Sequence, residues 1–156
     1  MKFLFWTIPS RKKAYECRSR DFTYLKDEID DMKNLYSRIE KLMDEKHPFL
    51  DGDFSIGDLA KLVFRNKAFV SRTINKIANV NFRAYINSYR ARYAAALILR
   101  EPRMKMSEVA SQSGYNSIPT FNSSFKDEFN MRPSEYWSYA RKHPELSFPM
   151  RREVRP

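Results

Sequence analysis

An internal repeat constrains the fold of this chain more than any other feature. Three apolar positions recur at an offset of 50 residues, pairing Ile56 with Met106, Leu59 with Val109 and Ala60 with Ala110. Four later positions recur at an offset of 51, pairing Val70 with Phe121, Ile74 with Phe125, Asn79 with Asn130 and Tyr85 with Tyr136. The extra residue falls between the two helices of each copy, which is where a turn is expected. The pattern predicts two helix-turn-helix units.

The spacing of apolar residues and of capping residues predicts helices throughout the repeat. Ser55, Asn66 and Ser117 can each cap the helix that follows. The predicted helices cover Ile56 to about Val63, Lys67 to Ile77, Phe82 to about Leu99, a short segment ending at Gly114, residues 118–129 and a segment from Pro133. The chain has only 3 glycines, too few for the tight turns of β-sandwiches and barrels. We expect an all-α fold with two helix-turn-helix subdomains joined by the long spacer helix.

A heptad-like pattern precedes the repeat. Its apolar residues alternate in steps of three and four: Phe22, Leu25, Ile29, Met32, Tyr36, Ile39 and Met43. This spacing predicts an amphipathic helix over residues 22–46, after a flexible or docking segment over residues 1–21. Residues 22–43 could pair two copies as a dimerisation arm, while the end of the helix packs on the following domain. The sequence does not show what the apolar seam packs against.

The charge of the chain points to an anionic partner. Residues 1–50 carry 11 basic and 9 acidic side chains, whereas residues 51–156 carry 18 and 10. The basic surface is therefore expected in the domain over residues 51–143, followed by a disordered basic tail over 144–156. Nucleic acid and an anionic membrane face are both consistent with this charge.

Cysteine content and hydropathy predict a cytoplasmic protein. Cys17 is the single cysteine, so no internal disulfide forms, and no apolar run approaches the ~18 residues that span a bilayer. The short apolar stretch before Arg11-Lys12-Lys13 nevertheless has the order expected at the cytoplasmic exit of a membrane helix. The chain could therefore also be the cytoplasmic part of a longer, membrane-anchored protein.

The residues that usually carry catalysis are not grouped. His47 and His143 each precede a proline and lie far apart, and Cys17 lies outside the repeated domain. Neighbouring carboxylates at positions 27, 28, 30 and 31 belong to one solvated helix rather than to a paired acid and base. We expect no enzyme, no metal ligands, no cofactor and no small-molecule site.

Ordered motifs between about Asp53 and Trp137 match a known family. They are Leu59-Ala60, Val70-Ser71-Arg72, Phe82-Arg83-Ala84-Tyr85-Ile86-Asn87-Ser88-Tyr89-Arg90, Val109-Ala110 to Gly114-Tyr115, Phe121 to Lys126, and Pro133-Ser134-Glu135-Tyr136. On these motifs the chain resembles the DNA-binding domain of AraC/XylS-type bacterial transcription regulators. The family usually has Gly where Asn79 and Asn130 stand, and Asn tolerates the left-handed conformation best among other residues.

The resemblance implies that helices 67–77 and 118–129 read adjacent major-groove segments of duplex DNA. The expected base-contacting residues are Lys67, Ala68, Ser71, Arg72 and Asn75 on the first helix, and Pro119, Thr120, Asn122 and Ser123 on the second. The expected phosphate contacts are Lys76, Arg83, Lys105, Lys126 and Arg132. Arg72 is the strongest candidate, because a guanidinium can bond the O6 and N7 atoms of guanine together. The second helix has no basic residue before Lys126, so we expect the first unit to specify sequence and the second mainly to position the domain.

These observations predict a sequence-specific, double-stranded DNA-binding transcriptional regulator, and we favour an activator over a repressor. RNA polymerase and a second copy of the chain are further candidate partners. One alternative is a helical interaction or membrane-surface module, which explains the charge but not the repeat. Another is the cytoplasmic effector domain of a membrane-anchored sensor. The operator, the target genes and any inducer cannot be read from the sequence.

Overall fold

The computed structural model describes residues 11–143, with side chains from Leu25 onward. Its helices are α1 (Arg11–Lys46), α2 (Ile56–Leu62), α3 (Lys67–Ala78), α4 (Phe82–Arg100), α5 (Met106–Gln112), α6 (Ile118–Phe129) and α7 (Pro133–Lys142), with a 3₁₀ turn at Pro48–Leu50. No strand occurs within residues 11–143, so the predicted all-α fold is confirmed. The predicted disordered tail over 144–156 lies outside the described residues.

Helix α1 is already present at Arg11, the first residue that the structure describes, although the apolar seam starts at Phe22. The predicted boundary between a flexible segment and a helix at residue 22 therefore does not match the structure over residues 11–21. That stretch contains no proline or glycine and is rich in good helix formers such as Arg, Lys, Ala and Glu. An apolar seam marks one face of a helix and not its ends, so its first residue does not mark the start of the helix. Within residues 11–143, no helix combines the length and apolarity needed to cross a bilayer.

The two halves of the α1 seam have different surroundings. Met32, Ile39 and Met43 of the seam are buried against the rest of the domain, together with the neighbouring Leu35. By contrast, Leu25 and Ile29 are 54% and 38% exposed. The second half of the helix is thus part of the domain core, and the apolar side chains described in its first half face solvent.

The caps predicted for three helices are present. Ser55, Asn66 and Ser117 each accept a hydrogen bond from a backbone N–H three residues later, at 3.3, 2.7 and 3.3 Å. At the other ends, Asn79 and Asn130 have φ angles of 54° and 55° and terminate α3 and α6 in the predicted left-handed conformation. These caps fix where the two candidate reading helices begin and end.

Two hydrophobic cores share helix α4. The first core joins the second half of α1 with α2, α3 and the start of α4, and includes Ile39, Leu59 and Ile74. The second joins the rest of α4 with α5, α6 and α7, centred on Phe121 and Phe125. Because one continuous helix contributes to both cores, the two units are joined by a rigid element rather than by a flexible linker.

The turns inside the two units differ in a way the repeat does not predict. Gly114 has φ of 80°, and the equivalent residue of the first unit, Phe64, also has a positive φ, of 53°. The Phe64 side chain is 88% exposed. A bulky residue in this conformation is strained, whereas glycine adopts it freely. The first turn therefore carries strain that the second avoids.

Candidate nucleic-acid interface

The outward face of α3 carries every residue expected to read bases in the first unit. Val70, Thr73 and Ile74 are fully buried and fix the orientation of the helix. The opposite face presents Lys67, Ala68, Arg72 and Asn75 to solvent, with Ser71 half-buried at its edge. The burial of one apolar stripe thus leaves a contiguous polar surface on the outer face of α3.

Helix α6 has the same organisation with a less polar outer face. Phe121 and Phe125 are fully buried, and the expected contact residues Pro119, Asn122 and Ser123 are exposed. Thr120 is half-buried, and its hydroxyl oxygen accepts a hydrogen bond of 2.8 Å from Ser117 Oγ. The Thr120 hydroxyl therefore belongs partly to the cap of α6.

Polar contacts hold the two units in a fixed relationship. Arg92 on α4 pairs with Glu128 on α6, with 2.5 Å between Nε and Oε1. The amide of Asn116 donates to the Asp53 carboxylate at 3.2 Å, directly joining the loops that precede α6 and α2. Tyr115 Oη donates to the main-chain carbonyl of Asn87 at 3.1 Å. These bonds set the position of α6 relative to the first unit.

Arg90 on the spacer helix is a structural residue. Its Nε donates to the Phe49 carbonyl at 2.7 Å, and Nη2 donates to the Asp51 carbonyl at 2.8 Å. Burial lowers the pKa of the Arg90 guanidinium from its ordinary value. The guanidinium lies over the Tyr115 ring, 5.9 Å from its centre. Arg90 therefore ties α4 to the segment after α1 and is not available to DNA.

The expected phosphate-contacting residues are all exposed, but they do not form one cluster. Arg83 lines an open groove that is bordered by the end of α3, by α4 and by Thr120 and Ser123 of α6. Lys105 instead lines a separate groove with Trp137 and Arg141. Of the others, Lys76 and Lys126 lie in the last turns of α3 and α6, and Arg132 directly precedes α7.

Two ion pairs to α1 were missed by sequence reasoning. Arg72 Nη2 lies 2.5 Å from a carboxylate oxygen of Glu28, and Arg65 pairs with Asp31. Arg65 directly precedes Asn66, the cap of α3. The acidic run of α1 is visible in the sequence, but its position over the reading helix depends on tertiary packing. Among the described residues, no group of His, Cys, Asp or Glu side chains is placed to hold a metal ion.

The comparison with known families agrees with this geometry. A family profile described as "Helix-turn-helix domain" matches residues 59–138, which is half of the chain and covers both units. This chain belongs to the AraC-type helix-turn-helix family. It therefore carries the helix-turn-helix DNA-binding domain that this family of transcriptional regulators shares.

A relative of the AraC-type chain is the "TCP pilus virulence regulatory protein" of Vibrio cholerae. The two are 40% identical over 57 residues, which make up 36% of this chain and 20% of that relative. The match therefore spans one fifth of the relative's length.

Solved structures share the AraC-type fold. A transcriptional regulator with an AraC-type DNA-binding domain from Chromobacterium violaceum has a TM-score of 0.60 at 20% identity, covering 72% of this chain and 96% of that one. A DNA-binding transcriptional dual regulator from Escherichia coli K-12 has a TM-score of 0.59 at 16% identity, covering 69% and 93%. The C-terminal domain of the response regulator AraT from Geobacillus stearothermophilus has a TM-score of 0.55 at 21% identity, covering 69% and 84%.

Proposed function

We propose that this AraC-type protein binds specific sites in double-stranded DNA and reads adjacent major-groove segments with α3 and α6. The main support is the pair of outward polar helix faces held on one rigid body. Major-groove segments on one face of a duplex recur about every 34 Å. Two reading helices fixed by Arg90, Arg92 and Asn116 can enter successive segments without a conformational search.

The two reading helices have unequal roles in this proposal. Helix α3 offers Lys67, Ser71, Arg72 and Asn75, and an arginine bonded to guanine discriminates by about 1–3 kcal/mol. Helix α6 offers Asn122, Ser123, Pro119 and a Thr120 hydroxyl that is already engaged in its cap. The first unit therefore specifies the sequence, while the second, with Lys126 on a phosphate, mainly sets register.

The protein acts in the cytoplasm on the bacterial chromosome, and it activates transcription by contacting RNA polymerase. The groove formed by Lys105, Trp137 and Arg141 shares no lining residue with the groove bordered by α3 and α6. It therefore offers a separate surface, on which Trp137 and Arg141 can contact polymerase while Lys105 contacts a DNA phosphate. A reporter downstream of a bound site distinguishes activation from repression by the sign of its response.

Pairing of two copies is restricted by the packing of α1. Met32, Leu35, Ile39 and Met43 are buried in the domain core, so a second copy can engage only the seam before Met32. We place the proposed homodimer contact in residues 22–29. The molecular mass in solution, with and without Ile29→Glu, tests it: the proposal expects a dimer that this variant converts to a monomer.

The experiment that tests the function begins with selection of bound genomic fragments. Affinity is then measured for a selected duplex, for the same duplex with its sequence scrambled, and for vesicles containing anionic lipid. Site-specific binding should be about 10³-fold or more tighter than binding to scrambled DNA at physiological salt. Equal binding to both duplexes together with strong vesicle binding would instead support the alternative of a membrane-surface module.

A further inference from the structure

The reading face of α3 is already partly occupied in the free protein. Glu28 on α1 pairs with Arg72, with 2.5 Å between Oε1 and Nη2, and their side chains are 27% and 59% exposed. One turn further along α1, Asp31 pairs with Arg65. The residue with the strongest expected base contact thus has a carboxylate partner within the same chain.

Arg65 and Arg72 form one cationic patch. Both guanidinium groups lie over the ring of Phe69, at 5.3 and 5.5 Å from its centre. Arg65 precedes the cap of α3 and Arg72 lies two turns further along, so the patch covers the same half of the helix as Lys67 and Ala68. Arginine binds carboxylates and phosphates with the same donor geometry, so this patch suits either anion.

The part of α1 that carries the two carboxylates lies at the edge of its apolar packing. From Met32 onward the helix is fixed by buried apolar side chains, whereas Leu25 and Ile29 are 54% and 38% exposed. Glu28 and Asp31 therefore lie at the point where apolar packing stops. Partly exposed ion pairs contribute little to stability, and an anion of higher charge density can replace them.

We propose that Glu28 and Asp31 are an intramolecular occupant of the DNA-binding surface, and that duplex DNA displaces them from Arg72 and Arg65. The inference rests on the proposed function and adds Arg65 to the DNA contacts. Displacement frees two arginines that then bind a phosphate or a base. In the free protein Arg72, which has the strongest expected base contact, is paired with Glu28. Each DNA-binding event therefore includes the breaking of both ion pairs.

The test compares two double variants that remove the same charge from the same turns of α1. Glu28→Gln with Asp31→Asn removes both pairs, and Asp27→Asn with Asp30→Asn is the matched control. Among the described residues, Asp30 pairs with Lys33 on α1 itself, at 3.7 Å, and neither control residue has an ion pair to α3. Affinity is measured for a selected duplex and for its scrambled form at several salt concentrations.

The Glu28→Gln/Asp31→Asn variant should bind the selected duplex about 3- to 20-fold more tightly than wild type, because each ion pair that it removes has the strength of a partly exposed pair. The control should tighten binding by about twofold or less, since exposed charges are screened at physiological salt. The difference between the two variants should shrink as salt rises. A thermal melt shows that both variants are folded, and impaired folding cannot by itself increase affinity.

Two results would overturn the inference. Equal effects of the two double variants would mean that only net charge matters. Weaker binding by the Glu28→Gln/Asp31→Asn variant would mean that the carboxylates position the arginines for DNA instead. Failure of the proposed function gives a different result: the wild-type protein then binds the selected and the scrambled duplex with equal affinity. The scrambled duplex still reports competition in that case, because phosphates alone suffice to displace the carboxylates.

Discussion

Arg90 Nε donates a hydrogen bond of 2.7 Å to the main-chain carbonyl of Phe49. The same carbonyl oxygen would lie 2.5 Å from a Cβ atom built on Gly114. The turn of the second unit thus packs directly on the segment that the spacer helix anchors. Both units meet at this segment, so the separation of the two reading helices depends on it.

Loss of the Arg90 guanidinium should strongly destabilise the fold. Arg90→Met keeps most of the side-chain volume but leaves the carbonyls of Phe49 and Asp51 without their charged donor. We expect the free energy of unfolding in urea to fall by about 2–4 kcal/mol, since bonds to charged groups contribute about 1.5–3 kcal/mol each. Arg100→Met on the exposed end of α4 is the control and should change stability by less than about 0.5 kcal/mol. Similar losses in both variants would contradict the structural role of Arg90.

The two repeat-related turns should respond oppositely to substitution. Phe64→Gly removes a left-handed phenylalanine, and we expect urea unfolding to show a gain of about 0.5–1 kcal/mol, because the relieved strain exceeds the entropy cost of glycine. Gly114→Ala places a Cβ against backbone carbonyls at a φ of 80°. This change should cost about 2–4 kcal/mol. A stabilising Gly114→Ala variant would show that the turn is not packed as described.

The salt dependence of DNA binding should report how many basic residues contact phosphates. If about five are engaged, the slope of log affinity against log salt should lie near −4 to −5. Lys126→Ala should reduce the magnitude of this slope by about 1. Lys41→Ala is the control, because Lys41 lies on α1 and pairs with Glu45 at 3.7 Å. An unchanged slope for Lys126→Ala would remove that residue from the interface.

The sequence predicted those parts of the fold that local signals determine. The repeat located both units, and Asn66 and Ser117 marked the starts of α3 and α6 because capping needs one side chain and its own helix. Asn79 and Asn130 were likewise sufficient to place the helix ends. The caps and helix ends depend on residues that are close together in the chain, and the repeat is visible as a regular offset.

The features that sequence reasoning missed depend on contacts between distant residues. The pair between Glu28 and Arg72 joins residues on two helices, and their proximity follows from how α1 crosses α3. The periodicity of α1 indicated a buried stripe but not that its burial would stop at Met32. The strain at Phe64 was hidden because a phenylalanine gives no local signal for a positive φ.

The two reading helices of the proposed interface have unequal roles. Binding of wild type, Arg72→Ala and Asn122→Ala should be compared on a selected duplex and on variants with one base pair changed in either half-site. We expect Arg72→Ala to lose about 1–3 kcal/mol of discrimination in its half-site, while Asn122→Ala weakens binding with little change in selectivity. Equal losses of selectivity in both half-sites would contradict the account.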